Sequence, residues 1–369
     1  MHEVAIVGGG LCGLALAHSL QARGVDWTLV EARERLGGRV HGVTGEGGGL
    51  PLLDLGATWF WPASQPSMAG LVRALGLATF AQADDGRVLQ LDRADAAPQP
   101  RPVEVLHAGA HRLAAGMPAL IAALAGPLPA ARLRLGTVLR RLVDRGDHVE
   151  LHGADAAVLA RARRVVLALP PRLAEATLGF EPALPAAVAA AMADTPTWMA
   201  SAAKAAVTTA RPVWRDAGLS GNAWVTHAQA VLAEVWDAGG DPAAADAGTT
   251  GAALAGFVAI DAAQRPAFRT GLPLLVSSQV EMLFGLGAAD GAVHLHDWAA
   301  EPFTCTDADR AESLAPVPPP EPADARLQAP LWDGRLWLGG SETATHGTGL
   351  LEGALGAAAR LRRALTGRP

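Results

Sequence analysis

Tyrosine is absent from this 369-residue chain, and lysine occurs once, at Lys204. Lysine and arginine together number 30, so the remaining 29 cations are arginine. Cysteine occurs twice, as Cys12 and Cys305, neither in Cys-x-x-Cys spacing. That excludes a disulfide scaffold and a thiolate zinc site, and it fits a reducing compartment such as the cytoplasm. Positive charge is not in excess: the net charge is −6 and the pI about 6.0. No chain-wide basic field therefore exists to hold nucleic acid or anionic lipid. The arginine group Arg161–Arg164 reads as the solvated start of a strand. No uninterrupted apolar run reaches the length of a membrane span, so no membrane anchor is expected. The apolar N-terminus lacks the basic region of a signal peptide.

Half of the residues are hydrophobic and 18% are charged, the balance of a globular chain long enough for two lobes. At the N-terminus, "EVAIVGGGLCGLALAHSLQARG" reads as a β-branched strand, a glycine turn and a helix stopped at Gly24. Gly8, Gly10 and Gly13 have the G-x-G-x-x-G spacing. The first makes a tight turn, the second lets backbone approach a pyrophosphate, and the third permits close helix–strand packing. The helix N-terminus then offers unpaired N–H groups to the phosphates. A second strand, "DWTLVEA", carries Glu31 to the distance at which a carboxylate accepts both ribose hydroxyls of an adenosine. The acid disfavours a 2′-phosphate, which leaves FAD or NAD.

The next stretch, "EARERLGGRVHG", resembles the flavin-containing amine oxidase superfamily. In that family, residues matching Arg33, Gly37, Gly38 and Arg39 bring guanidinium and backbone N–H groups to the FAD pyrophosphate. Further stretches are similar in the same order. "DLGATWFW" resembles the segment along the isoalloxazine, which would place Gly56, Ala57, Thr58 and Trp59 there. "GTVLRRL" resembles the strand that meets adenine, at Val138, and "RRVVLALPPRLAEATLGFEPALP" the crossover back to the second lobe. "GRLWLGGSETATHGTGLLEGALGAAARL" resembles the closing FAD segment. The resemblance implies that Glu342 lies by the ribityl–pyrophosphate region. It also implies a helix opening at Leu350 and Leu351, with the Leu351 N–H at the flavin pyrimidine edge.

"MASAAKAAVTTARPVW" is similar to the family strand whose lysine holds a water beside flavin N5, and it assigns Lys204 that catalytic part. A buried amine there has a lowered pKa, whereas arginine would keep its charge. The pattern departs from the family at the aromatic cage. Leu350 stands where the closing helix has tyrosine, and the other cage position falls near Ala308. Trp298 is retained, so Trp59, Trp298 and Leu350 are the candidate substrate-facing residues. Phe60, Trp61, Trp198 and Trp224 are further candidates for the cavity wall. Where relatives attach flavin through cysteine, Asp307 stands here and Cys305 lies two residues short, so FAD is expected to be non-covalent. His294 and His296 share one strand face without a third ligand, so no metal is expected.

These readings give an α/β fold: a Rossmann-type FAD domain interleaved with a smaller α+β substrate-binding domain, amine-oxidase-like. The FAD domain is expected over 1–60, 131–175 and 325–369, and the substrate domain over 61–130 and 176–324. The proline-rich stretch Ala315–Pro330 reads as a linker. The implied function is hydride transfer from a small-molecule amine to FAD, with O₂ or another acceptor reoxidising the flavin. Two alternatives stay open, a non-amine oxidase or desaturase on the same fold and a non-catalytic flavin-binding protein. The sequence assigns no substrate identity and no oligomeric state.

Overall fold

The computed structural model describes residues 1–44, 52–101, 106–155, 157–241, 252–285, 287–312 and 318–367. The first strand, His2–Val7, pairs in parallel with Trp27–Val30 on one side and with Val158–Leu167 on the other. Leu336–Leu338 and Leu133–Arg134 extend the parallel set. "WTLV" is buried at every position, as a strand covered on both faces requires. Antiparallel strands Arg141–Asp144 and Val149–His152, with Gly179–Glu181 at the edge, complete an eight-stranded sheet.

Helices Leu11–Gln21 and Leu351–Thr366 cover one face of this sheet. The second buries Ala354, Leu355, Ala358, Leu361 and Leu365, the spacing of a single apolar stripe, and ends on Gly367 in the left-handed region. Met68 and Val72 of helix Pro66–Ala74 join the same core, as do Leu120, Ile121 and Leu124 of helix Pro118–Ala125. Val188 and Met192 of helix Ala186–Ala193 pack on the opposite face. Parts of 61–130 and 176–324 thus pack against the nucleotide sheet, because short apolar helices follow its uncovered faces.

The second sheet has seven strands, ordered Val293–Asp297, Ala203–Thr209, Ala252–Val258, Leu232–Asp237, Leu219–Val225, Arg87–Leu91 and Gln99–Arg101. Side chains alternate across a strand, so each of its faces has its own partners. Ala205 and Val207 face helix Leu272–Phe284. Ala206 faces the other way, with Trp236, Leu53 and Leu55. Lys204, two residues before Ala206, is on that second face and turned toward the nucleotide lobe. Of the proline-rich stretch 315–330, residues 315–317 lie outside the described residues. The rest is packed rather than extended as a free linker: Leu327 is buried, and Thr348 donates to the Pro319 carbonyl. No described helix is long and apolar enough to cross a membrane.

Leu361 of the closing helix is fully buried, with its side chain against Gly339. Leu361→Ala is expected to cost about 2–5 kcal/mol of stability, measured as the difference in unfolding free energy by denaturant titration.

Candidate functional site

The glycine turn is built by close approach. A Cβ on Gly13 would stand 2.0 Å from the Gly8 carbonyl oxygen, and one on Gly8, at φ +106°, would stand 2.5 Å from that of Ala168. Gly10 differs, because its nearest neighbours would be 4.0 Å away, across open space toward Gly37 and Gly38. Gly10 is also the N-cap of helix Leu11–Gln21, which has neither a side-chain cap nor an acid in its first turn. Its first N–H groups and dipole are thus available to an anion. Glu31 is buried and held by two backbone donors, Gly9 N–H at 2.7 Å to Oε2 and Arg33 N–H at 2.9 Å to Oε1.

From this turn a cavity of about 460 Å³ runs between the lobes. Gly8, Gly10, Glu31, Arg33, Gly37, Gly38 and Arg39 line it, with Gly56, Ala57, Thr58, Trp59 and Lys204. Glu342, Leu350 and Leu351 complete the wall. Of the residues expected from sequence to bind cofactor, two are not on the wall. Gly13 serves packing. Val138 lies in the extended segment before strand Arg141–Asp144, next to Thr137, whose N–H donates to the Glu31 carbonyl. That register places it beside the end of the Glu31 strand and off the cavity.

Arg39 Nη2 lies 2.7 Å from Glu342 Oε1, and its Nη1 donates to the Trp198 carbonyl. Arg33 donates to Glu301 and Thr304, which ties the nucleotide loop to the segment after Trp298. Burial pushes the Glu301 carboxyl up, but Arg33 outweighs it and holds the group below the usual range. Leu350 caps helix Leu351–Thr366 without a side-chain hydrogen bond, and both Leu350 and Leu351 line the cavity, so this N-terminus also opens on it. Glu352 in its first turn caps a different helix, accepting from Ser67 and Met68 N–H.

Lys204 is buried, with Nζ donating to the Gly56 carbonyl and to Thr58 Oγ1, both at 2.6 Å. Three rings surround it: Trp59 at 5.6 Å, Trp236 at 5.1 Å and Phe257 at 5.1 Å from Nζ to centroid. Burial lowers its pKa to about 7, with Asp54 pulling up and Arg112 pushing down. Asp54 is raised by burial to about 6, against the pull of Arg112 and of the Met117 N–H on its Oδ1.

Trp59, Trp61, Trp198 and Trp298 line the cavity, with Phe257 and Phe303. The Trp298 indole donates to the Leu55 carbonyl and stands edge-on to His296, whose own ring is 4.6 Å from His41. Two of the aromatics expected there are elsewhere. Phe60 alternates away from Trp59 and Trp61 into the nucleotide-lobe core, and Trp224 lies across from Glu234 in the second sheet. Ala308 is exposed on the short helix Asp307–Ala311, far from forming a cage wall. Cys305 is buried among Ala200, Ala262 and Ala299, off the cavity. Cys12 is on the wall, its thiol pushed up by burial to about 11.

One cluster has no local signal in the sequence. His107 hydrogen-bonds Asp84 at 3.0 Å through Nδ1 and Glu234 at 3.3 Å through Nε2, and it stacks on Trp59. Asn222 Nδ2 donates to the same Asp84 oxygen. Burial pushes the imidazole down, but its hydrogen bonds to the Asp84 and Glu234 carboxylates raise it to about 9. These residues come from four strands or loops far apart in the chain, so only the folded sheet brings them together.

The family model for flavin containing amine oxidoreductases matches residues 11–107 and 102–361. Polyamine oxidase 5 of Oryza sativa subsp. japonica is 41% identical over 88 residues, 24% of this chain and 17% of that protein. Putrescine oxidase of Kocuria rosea is 36% identical over 89 residues, 24% of this chain and 18% of that protein. The matched segment spans less than a fifth of the length of either relative. Among solved structures, cyclohexylamine oxidase from Brevibacterium oxydans superposes with a TM-score of 0.79 over 99% of this chain and 98% of that one, at 19% identity. A putrescine oxidase variant gives 0.78 over 100% and 99%, also at 19%. At such identities the likeness is one of fold.

His107 binds a proton in the folded chain between its ordinary pKa near 6.5 and about 9, where the unfolded chain does not. Its contribution to stability is full below pH 6.5 and is lost as pH rises through about 9. Lys204, lowered to about 7, acts in the opposite sense, since folding expels its proton and that cost fades as pH rises. The difference between the wild type and His107→Gln isolates the histidine. The wild type's stability advantage is expected to shrink across this window in denaturant titrations; an advantage independent of pH would contradict the assignment.

Proposed function

The chain belongs to the flavin-containing amine oxidoreductase family, and from that premise we propose that it is an FAD-dependent oxidoreductase acting on an amine. The observation that carries this reading is the continuity of one cavity. It joins the glycine turn and Glu31 to a helix N-terminus at Leu351, passing Lys204. The donor set suits FAD. The open space at Gly10 admits a pyrophosphate, Glu31 accepts ribose hydroxyls, and Arg33 and Arg39 supply guanidinium at the phosphates. Gly56, Ala57 and Thr58 would lie along the isoalloxazine, with Glu342 near the ribityl chain.

When bound, the flavin supplies the acceptor for a hydride equivalent from the carbon next to nitrogen, and O₂ or another acceptor regenerates it. The chain does the rest. The helix N-terminus at Leu351 stabilises negative charge at the pyrimidine edge. Lys204, with its proton held near neutrality, can give or take one beside the cofactor. Trp59, Trp61, Trp198, Trp298 and Phe257 exclude water, and a dry site favours the neutral amine, whose lone pair assists loss of hydride. With Met199 and Leu350 they make the wall around the reacting carbon apolar, so the substrate's body is expected to be apolar too. We infer non-covalent attachment, since Asp307 is exposed and Cys305 is turned into its own alanine pocket. Two unpaired buried cysteines support a cytoplasmic setting.

A second reading, oxidation of a non-amine substrate, draws on Leu350 at the family's tyrosine position and on Ala308 outside the cavity. A single experiment separates the two. The holoenzyme's visible spectrum is recorded without oxygen before and after addition of primary, secondary and amino-acid amines. Bleaching of the flavin band by an amine with an apolar body is expected, as is release of the flavin on denaturation. A band untouched by every amine would move the assignment to the non-amine oxidoreductase or the flavin-binding protein. Lys204→Met is expected to slow flavin reoxidation in stopped-flow traces; unchanged rates of both reduction and reoxidation would remove the lysine from the mechanism.

A further inference from the structure

A buried ammonium ordinarily sits against a carboxylate. Lys204 does not: among the described residues its Nζ forms no ion pair, and its two hydrogen-bond acceptors, the Gly56 carbonyl and Thr58 Oγ1, are neutral. Trp236 stands 5.1 Å from Nζ on the same sheet face. It is fully buried, it is absent from the cavity wall, and its indole N–H has no hydrogen-bond partner among the described residues. A buried tryptophan usually satisfies that N–H. Here the ring is oriented instead by Trp59, at 4.8 Å, and by Phe257, at 5.1 Å, so that all three rings converge on one cation.

We propose that Trp236 is a positioning residue for Lys204, its π-face supplying, with Trp59 and Phe257, the stabilisation of the ammonium that a carboxylate supplies elsewhere. The electrostatic reason for rings in place of an acid is specific. A ring quadrupole favours the cation but accepts no proton and adds no charge of its own. A carboxylate in contact would lock the ammonium in its charged form. Rings leave the proton exchangeable.

Asp54 and Glu234 attract the ammonium through space, and Arg112 repels it. Arg112 is itself engaged with the carbonyls of Ala238 and Gly239. His107 lies behind Trp59, between Asp84 and Glu234, and His296 is the cross-strand neighbour of Lys204. Among the described residues none of these hydrogen-bonds or ion-pairs with Nζ, and Trp236 does not line the cavity. It acts through Lys204.

The chain's lone lysine makes the test direct, because labelling with ¹³Cε,¹⁵Nζ-lysine gives one side-chain signal that needs no assignment. The holoenzyme is titrated by NMR as wild type, Trp236→Leu and Trp236→Phe. Loss of the indole is expected to lower the Lys204 midpoint by about one pH unit, a tenfold change in acidity, with phenylalanine in between because its quadrupole is weaker. An unchanged midpoint overturns the proposal. So does a rise toward the ordinary lysine value, which is what water entering a merely structural cavity would produce. Should Trp236→Leu fail to fold, Trp236→Phe carries the test with a smaller downward shift. The proposal rests on the reading of Lys204 as the proton-handling group beside the flavin, but the titration reads the lysine whether or not any amine is oxidised. Where both hold, the pH profile of flavin reoxidation moves down with the NMR midpoint. Where only the proposal holds, the midpoint moves alone.

Discussion

An ammonium taken out of water must recover its hydration from fixed partners, and in this molecule those partners belong to both lobes. Lys204 comes from a central strand of the second sheet, while the Gly56 carbonyl and Thr58 hydroxyl belong to the segment that leaves the nucleotide lobe after Asp54. The two 2.6 Å contacts therefore set the distance between the second sheet and the backbone at Gly56–Thr58. Gly56 cannot yield from its other side, since any Cβ there would be 2.0 Å from the Arg39 carbonyl oxygen. Arg39 in turn grips Glu342 and the Trp198 carbonyl. One chain of contacts thus runs along the cavity wall from Lys204 through Gly56 and Arg39 to the closing segment.

Charge along that cavity is distributed by what each part has to hold. Glu31, Arg33, Arg39 and Glu342 are charged residues of the wall, and each has a partner already in place. The tryptophans and Phe257 make the rest largely apolar, the part that the proposed hydride transfer would need dry. Lys204 stands at the border between them, the one titratable cation on the apolar side, and its acidity follows from that position rather than from any ion pair. The absence of tyrosine is met by indoles, which provide surface and π-face but no phenolic proton. In the proposed reaction, proton handling then falls to the lysine.

The parts legible in the sequence were those whose signals are local. The glycine turn, Glu31, the Arg33–Arg39 loop and the opening at Leu351 each declare themselves within a dozen residues, because one turn or one helix end sets their geometry. Lys204 was legible for a different reason, its uniqueness among arginines, although composition alone could not show which atoms it holds. The aromatics were half legible: alternation along "TWFW" sends Phe60 into the core while Trp59 and Trp61 face the cavity, and Trp224 follows the register of its own strand. Val138, assigned by the resemblance of "GTVLRRL" to a family strand, is not on the cavity wall, because a resemblance in a short stretch does not fix which of its residues faces the cavity. The Asp84–His107–Glu234–Asn222 cluster and Trp236 were illegible. Their meaning comes from pairings across more than a hundred residues, which no window of sequence contains.

Why the chain has one lysine here among 29 arginines follows from counting donors. A guanidinium carries five N–H donors in a rigid plane, and the site offers a carbonyl, a hydroxyl and three ring faces. Some of those donors would be buried without acceptors, at about 1–3 kcal/mol each. An ammonium meets the same surroundings with two hydrogen bonds and presents the rest of its charge to the rings. It is also the only one of the two that can release its proton near neutral pH, since burial brings a lysine there and leaves an arginine charged. The geometry that rejects arginine is thus the geometry that makes the amine labile: no carboxylate in contact, few acceptors, and aromatic faces that stabilise the cation without holding its proton.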